Sequence, residues 1–239
     1  MKKLMTLVLA VVMALSLFAF AAADEVAVMT YEEYAAAELD TEVNIETYVQ
    51  ASQSWWENQI TLYTQDEDGA YFIYNCACSE EDAAKLVPGT KIRVNGFKSE
   101  WSGEVEIVDG AFEIIEDAEP WIAEATDVTE LFGTDELAEK MNLFVTIKGA
   151  VVAPANDEGA AFLYKWNGSG EDGDDLYFNV TIGENTYSFT VESYLCGAGT
   201  EVYEAVKALN VGDVIDLEGF LYWYEGPQPH VTAVAAAAE

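Results

Sequence analysis

Gly89-Thr90-Lys91-Ile92-Arg93-Val94-Asn95-Gly96-Phe97, closed by Gly103, is matched by Gly212-Asp213-Val214-Ile215-Asp216-Leu217-Glu218-Gly219-Phe220, closed by Gly226. The glycines keep the same spacing in both stretches, and each pair brackets a strand-like run. Upstream, Val43-Asn44-Ile45 in one half answers Val145-Thr146-Ile147 in the other. Repetition on this scale means one domain present twice. The separation between matched positions widens from the first strand to the glycine frame, so the second copy carries extra residues, assigned here to its strand 2–3 region.

Outward from the first frame, Thr30 opens a helix running to residue 37, with Glu33 placed to complete a capping box. Residues 43–51 alternate apolar and polar, which is strand periodicity with one buried face. Residues 60–64 and 71–75 form a hairpin about the turn 66–69, Ser79 starts a second short helix, and strands follow at 91–99 and 104–112. The second copy repeats the order: a helix over 134–141, strands at 144–152 and 161–166, a hairpin of 177–182 with 187–194, a helix over 201–209, and strands at 214–222 and 231–234. Pro120 and a charge cluster mark the join. The predicted division is a signal peptide at 1–23, a first domain at 24–116, a linker at 117–127 and a second domain at 128–239.

Three strands, a helix and two more strands is the order of the OB-fold. The predicted fold class is all-β with short helices, as two tandem OB-fold-like five-stranded Greek-key barrels. On this element order and glycine spacing the chain resembles uncharacterised secreted bacterial proteins with tandem OB-fold domains, over most of residues 30–234. The resemblance implies a fold and not a reaction.

Lys2 and Lys3, an apolar run over 4–20 and Ala21-Ala22-Ala23 read as a cleaved export signal, which predicts a secreted or extracellular protein, the cell-wall space included. No later apolar run approaches the roughly 20 residues that span a bilayer, so the mature form is expected to hold no membrane segment. Ten basic residues stand against 44 acidic ones, for a net charge of -34. Nucleic-acid binding depends on Lys and Arg displacing counterions from phosphates, so the composition argues against nucleic acid as a partner, although many OB-folds bind it. Cys76 and Cys78 sit two apart on one strand and Cys196 lies in the other copy, so free buried thiols are expected.

Aromatic placement points to a binding surface. In an OB barrel the loops joining strands 1–2 and 4–5 border one face, and Trp55, Trp56 and Trp101 occupy them in the first copy. Tyr222, Trp223 and Tyr224 stand at the second copy's strand 4–5 loop, with Trp166 before them in sequence. Flat rings beside hydrogen-bonding groups suit a neutral or cationic oligosaccharide or peptide, taken by an extracellular binding module. The same rings would also serve an interaction scaffold in which they are buried between domains. The acidic loop 170–175 misses the EF-hand spacing and reads as solvated, and no cofactor or metal is expected. His230 stands alone, no nucleophile or phosphate-loop motif occurs, and no enzymatic activity is expected. The oligomeric state is left open.

Overall fold

Gly96 and Gly219 hold the same place in two barrels, and each sits where the strand register shifts by a bulge. In the computed structural model, which describes residues 27–237, the first barrel contains β1 (Glu42–Ser52), β2 (Gln59–Gln65), β3 (Ala70–Ala77), β4 (Lys91–Trp101) and β5 (Glu104–Ile114). These close in the order β1-β2-β3-β5-β4, with β3 parallel to β5 and the other pairings antiparallel. The short helix α2 (Glu80–Ala83) lies between β3 and β4. This is the OB-fold topology.

The second barrel repeats it. β7 (Phe144–Ala153), β9 (Leu176–Ile182), β10 (Asn185–Val191), β11 (Val214–Phe220) and β12 (His230–Ala236) close through a β7–β9 pairing, again with one parallel contact, β10 to β12. Two-residue stubs, β6 (Thr126–Asp127) and β8 (Leu163–Tyr164), extend it, and the helix α3 (Glu201–Lys207) separates β10 from β11. The repeat reaches single hydrogen bonds. Gly89 N donates to Val49 O and Gly212 N to Val152 O, both at 2.8 Å, from backbones at φ of 91° and 94° that only glycine adopts freely.

Local chemistry sets the element ends. Thr30 caps α1 (Tyr31–Ala36) and Glu33 closes the capping box; Ser79 caps α2. The buried Lys98 ammonium donates to the carbonyls of Tyr34, Ala35 and Ala37 at 3.0, 2.9 and 2.8 Å, satisfying the C-terminal end of α1.

Two sequence expectations are corrected. The helix expected over 134–141 is a 3-10 turn, Asp135–Lys140, because Thr134 gives its hydroxyl to Leu131 O at 2.8 Å and leaves the first turn without a side-chain cap. The strand expected at 161–166 shrinks to β8, and β9 takes the second place in the barrel. Most of the extra residues of the second copy therefore lie between its first and second barrel strands, and the rest in the connection between β10 and β11, rather than in the strand 2–3 region. Gly159, Gly168 and Gly173, all at positive φ, turn this segment too often for it to extend.

Each barrel has its own core: Ile45, Leu62, Ile73, Ile92 and Ile107 in the first, and Ile147, Phe178, Phe189, Tyr203 and Leu217 in the second. A third cluster, Tyr63, Phe72 and Phe220, lies between them, and burying each ring contributes on the order of 2 kcal/mol. Among the described residues, no helix is long and apolar enough to cross a membrane. The predicted signal peptide lies outside the described residues.

The bulge glycines are tight. A Cβ at Gly219 would be driven into the His230 carbonyl oxygen and stand 2.9 Å from Val231 Cα, whereas one at Gly212 would meet open space. Gly219→Ala is expected to cost about 2–3 kcal/mol by overpacking, and Gly212→Ala only about 1 kcal/mol of left-handed backbone strain. Urea denaturation of the two variants checks the ordering.

Candidate functional site

A cleft of about 640 Å³ opens where the barrels meet, and both contribute to its wall. The first barrel supplies the outward face of β2, β3 and β5. Phe72 pairs in register with Glu106, and Tyr74 follows two residues on, so these side chains share one face. The second barrel supplies Glu192 and Tyr194, which follow β10, together with Tyr222 and His230 from the ends of the β11–β12 loop.

Two tryptophans stand at the rim on similar turns. Trp56 and Gln59 exchange both backbone hydrogen bonds at 3.0 Å across Glu57 and Asn58, which have φ of 47° and 67°. Trp101 pairs with Glu104 across Ser102 and Gly103, at φ of 51° and 95°. Paired left-handed residues are the mark of the tight hairpin turn whose twist matches the strands. Each turn leaves its indole in solvent: Trp56 is 62% exposed and Trp101 is 60% exposed.

The six predicted site residues divide. Trp56, Trp101 and Tyr222 line the cleft. Trp55 does not: its ring packs on the first core and its Nε1 donates to Cys78 O at 2.8 Å. Trp223 lies over Gly103, where a Cβ would come within 2.8 Å of its ring, and its backbone N donates to Glu104 at 2.8 Å. Half-buried, it touches both barrels. Tyr224 lies elsewhere, beside Trp166, Tyr177 and Gln228 on a second concavity of about 510 Å³. Tyr74, Tyr194, Glu106 and Glu192 line the cleft and were missed, although alternation along 70–77 and 104–114 marks Tyr74 and Glu106 as outward-facing.

The electrostatics are one-sided, since among the described residues no Lys or Arg lines the cleft. Burial pushes the Glu106 carboxyl above its ordinary range, and burial with the nearby Asp175 charge pushes Glu192 up to about 7. Glu192 is held by the backbone N–H groups of Tyr194 and Leu195 at 2.9 and 3.0 Å. His230 is buried and its pKa falls to about 3, so it is neutral. The Tyr63 hydroxyl accepts from Gln53 Nε2 at 3.2 Å, which leaves its proton for His230 Nδ1 at 2.6 Å, and the imidazole stacks on Tyr222 at 4.1 Å.

Behind the cleft, Glu104 is fully buried, and desolvation raises its carboxyl to about 8 against the pull of the hydrogen bond from the Trp223 backbone N–H. In the acidic loop 170–175, Asp172 pairs with Lys207 at 2.8 Å and Asp174 with Lys165 at 3.3 Å. Cys76, Cys78 and Cys196 are free thiols, and burial pushes Cys76 up to about 12 and Cys196 up to about 11.

No protein-family model and no curated protein matches the chain. Among solved structures it is similar to a murine DNA-binding protein bound with double-stranded DNA, at a TM-score of 0.36 and 12% identity over 82% of this chain and 97% of that one. A structure described as "Structural mimicry for functional antagonism" is similar at a TM-score of 0.33 and 12% identity, over 82% and 93%. The exclusion of nucleic acid drawn from composition is corrected accordingly, because a DNA-bound protein stands among the structural neighbours. At these TM-scores neither likeness carries an argument for what this chain binds.

The buried carboxyls set a pH dependence. Glu104, Glu106 and Glu192 have native pKa values above the ordinary 4.5, so the folded chain keeps protons that the unfolded chain gives up. Their contribution to stability is complete below pH 4.5 and is lost as pH rises through about 7 to 8. The urea midpoint is expected to fall between pH 5 and 8.5, and Glu104→Gln to flatten that fall.

Proposed function

We propose that the protein is a secreted, non-enzymatic binding module that takes an oligosaccharide or peptide segment in the cleft between its barrels. The observation that carries this reading is the pair of exposed indoles, Trp56 and Trp101, set on rigid turns at the rim of a concave aromatic wall. Exposed rings cost a folded protein apolar surface in water, and a rim that presents two beside a cleft is suited to stacking on a flat partner. The interaction-scaffold reading retains Trp223, whose contacts tie the barrels together. Support for secretion comes from the export signal read in residues 1–23. His230, neutral and engaged by Tyr63, is poorly suited to general-base work.

A glycan, peptidoglycan and peptide array probed with the protein lacking residues 1–23 tests the reading. A hit is expected, weakened roughly five- to tenfold for each ring removed in Trp56→Ala and Trp101→Ala. Trp55→Phe, which loses the hydrogen bond to Cys78 and part of the ring packed on the first core, is expected to bind normally while losing about 1–3 kcal/mol of stability. An array without hits, or unchanged binding by the Trp56→Ala/Trp101→Ala double variant, would overturn the assignment.

A further inference from the structure

We infer that the cleft selects an organic cation, and that its ligand is an amino-sugar oligosaccharide whose ammonium sits among the rings between Glu106 and Glu192. The inference rests on the binding reading above and names its ligand class. Six rings besides His230 border the space: Trp56, Phe72, Tyr74, Trp101, Tyr222 and, at the second-barrel edge, Tyr194. The face of an aromatic ring is negative and attracts ammonium groups, most strongly where water is partly displaced. Glu106 and Glu192 are the acidic residues in the lining, one from each barrel, and no basic side chain there answers them.

Two further observations agree with this placement. Both carboxyls are held above their ordinary pKa by burial, and the nearest charge acting on Glu192 is Asp175, of the same sign. A cation between them would supply the missing counter-charge and favour their ionised forms. Of the titratable groups around them, Tyr63, Tyr177 and Cys196 near Glu192 and Tyr34 and Tyr222 near Glu106 are neutral at pH 7 as ordinary phenols and thiols are, and Glu104 is held mostly neutral by burial, which raises it to about 8. The rim decides between sources of the ammonium. Exposed, flat indoles at Trp56 and Trp101 match the apolar face of a pyranose ring, whereas a peptide adding as a strand would need an open edge, and the first barrel, being closed, presents none beside the cleft; the trilysine probe below separates a peptide that docks on the rings instead.

The test is titration of the tryptophan fluorescence, in 150 mM salt, with a glucosamine trimer, its fully N-acetylated counterpart and a trilysine peptide. The glucosamine trimer is expected to bind about tenfold more tightly than the acetylated one. The Glu106→Gln/Glu192→Gln variant is expected to erase that preference, and since it removes only two of 44 acidic residues, bulk attraction would survive it. Both carboxamides keep the side-chain volume, and urea denaturation confirms that the variant is folded. Equal or tighter binding of the acetylated trimer, sensitive to Trp56→Ala, would overturn the cation inference and leave the binding reading standing. Trilysine binding without glucosamine binding would overturn the amino-sugar assignment. Failure of all three probes would overturn the inference, and the array described above then decides separately whether the cleft binds anything.

Discussion

The structure depends on one contact: the Trp223 backbone N–H donating at 2.8 Å to the fully buried carboxyl of Glu104. A carboxyl out of water must find partners or take up a proton; one oxygen here takes the Trp223 N–H, the other has no hydrogen-bond partner, and burial raises the pKa to about 8, which favours the protonated form. Around it, Asn142 reaches Val105 O at 3.0 Å, Glu225 N reaches Ser102 O at 2.7 Å, and Phe144 N reaches the Gln65 side chain at 2.8 Å. These polar ties ring the Tyr63–Phe72–Phe220 cluster, so the two barrels are joined by an apolar centre with directional bonds at its edge. The cleft is the part of the first barrel's outward face that the second barrel leaves uncovered.

Much of the fold was legible because its rules are local. Thr30 and Glu33 are three residues apart, and a capping box needs nothing more distant. The glycine frame was legible for the same reason: Gly96 and Gly219 mark bulges, and Gly89 and Gly212 mark the same left-handed turn. The second copy's first loop was not legible. Residues 161–166 have strand-like composition, but the partner they would need is already taken, since β7 pairs with β9 directly. Propensity gives way to the pairing that closes the barrel.

The site was legible at the level of loops and not of side chains. Trp55 and Trp56 are neighbours of one type, and the sequence gives no ground for separating them. The left-handed pair Glu57 and Asn58 turns one indole inward to Cys78 O and the other out to solvent. Likewise Tyr222, Trp223 and Tyr224 look equivalent in order, yet they line the cleft, lock the barrels and border a separate hollow, respectively. Glu192 could not be recognised because its neighbours in the wall, Glu106 and Tyr74, belong to the other barrel.

The seating of Trp223 on Gly103 has a further consequence. The second barrel meets the first through its β11–β12 loop, while the first receives it on the faces of β2, β3 and β5, so donor and acceptor surfaces differ although the modules are copies. Such a heterologous union has polarity. The leading module gives part of its receiving surface to its sibling, whereas the trailing one carries Tyr177, Trp166 and Tyr224 on a separate concavity. The repeated module therefore presents two non-equivalent hollows, one walled by both barrels and one by the second barrel alone.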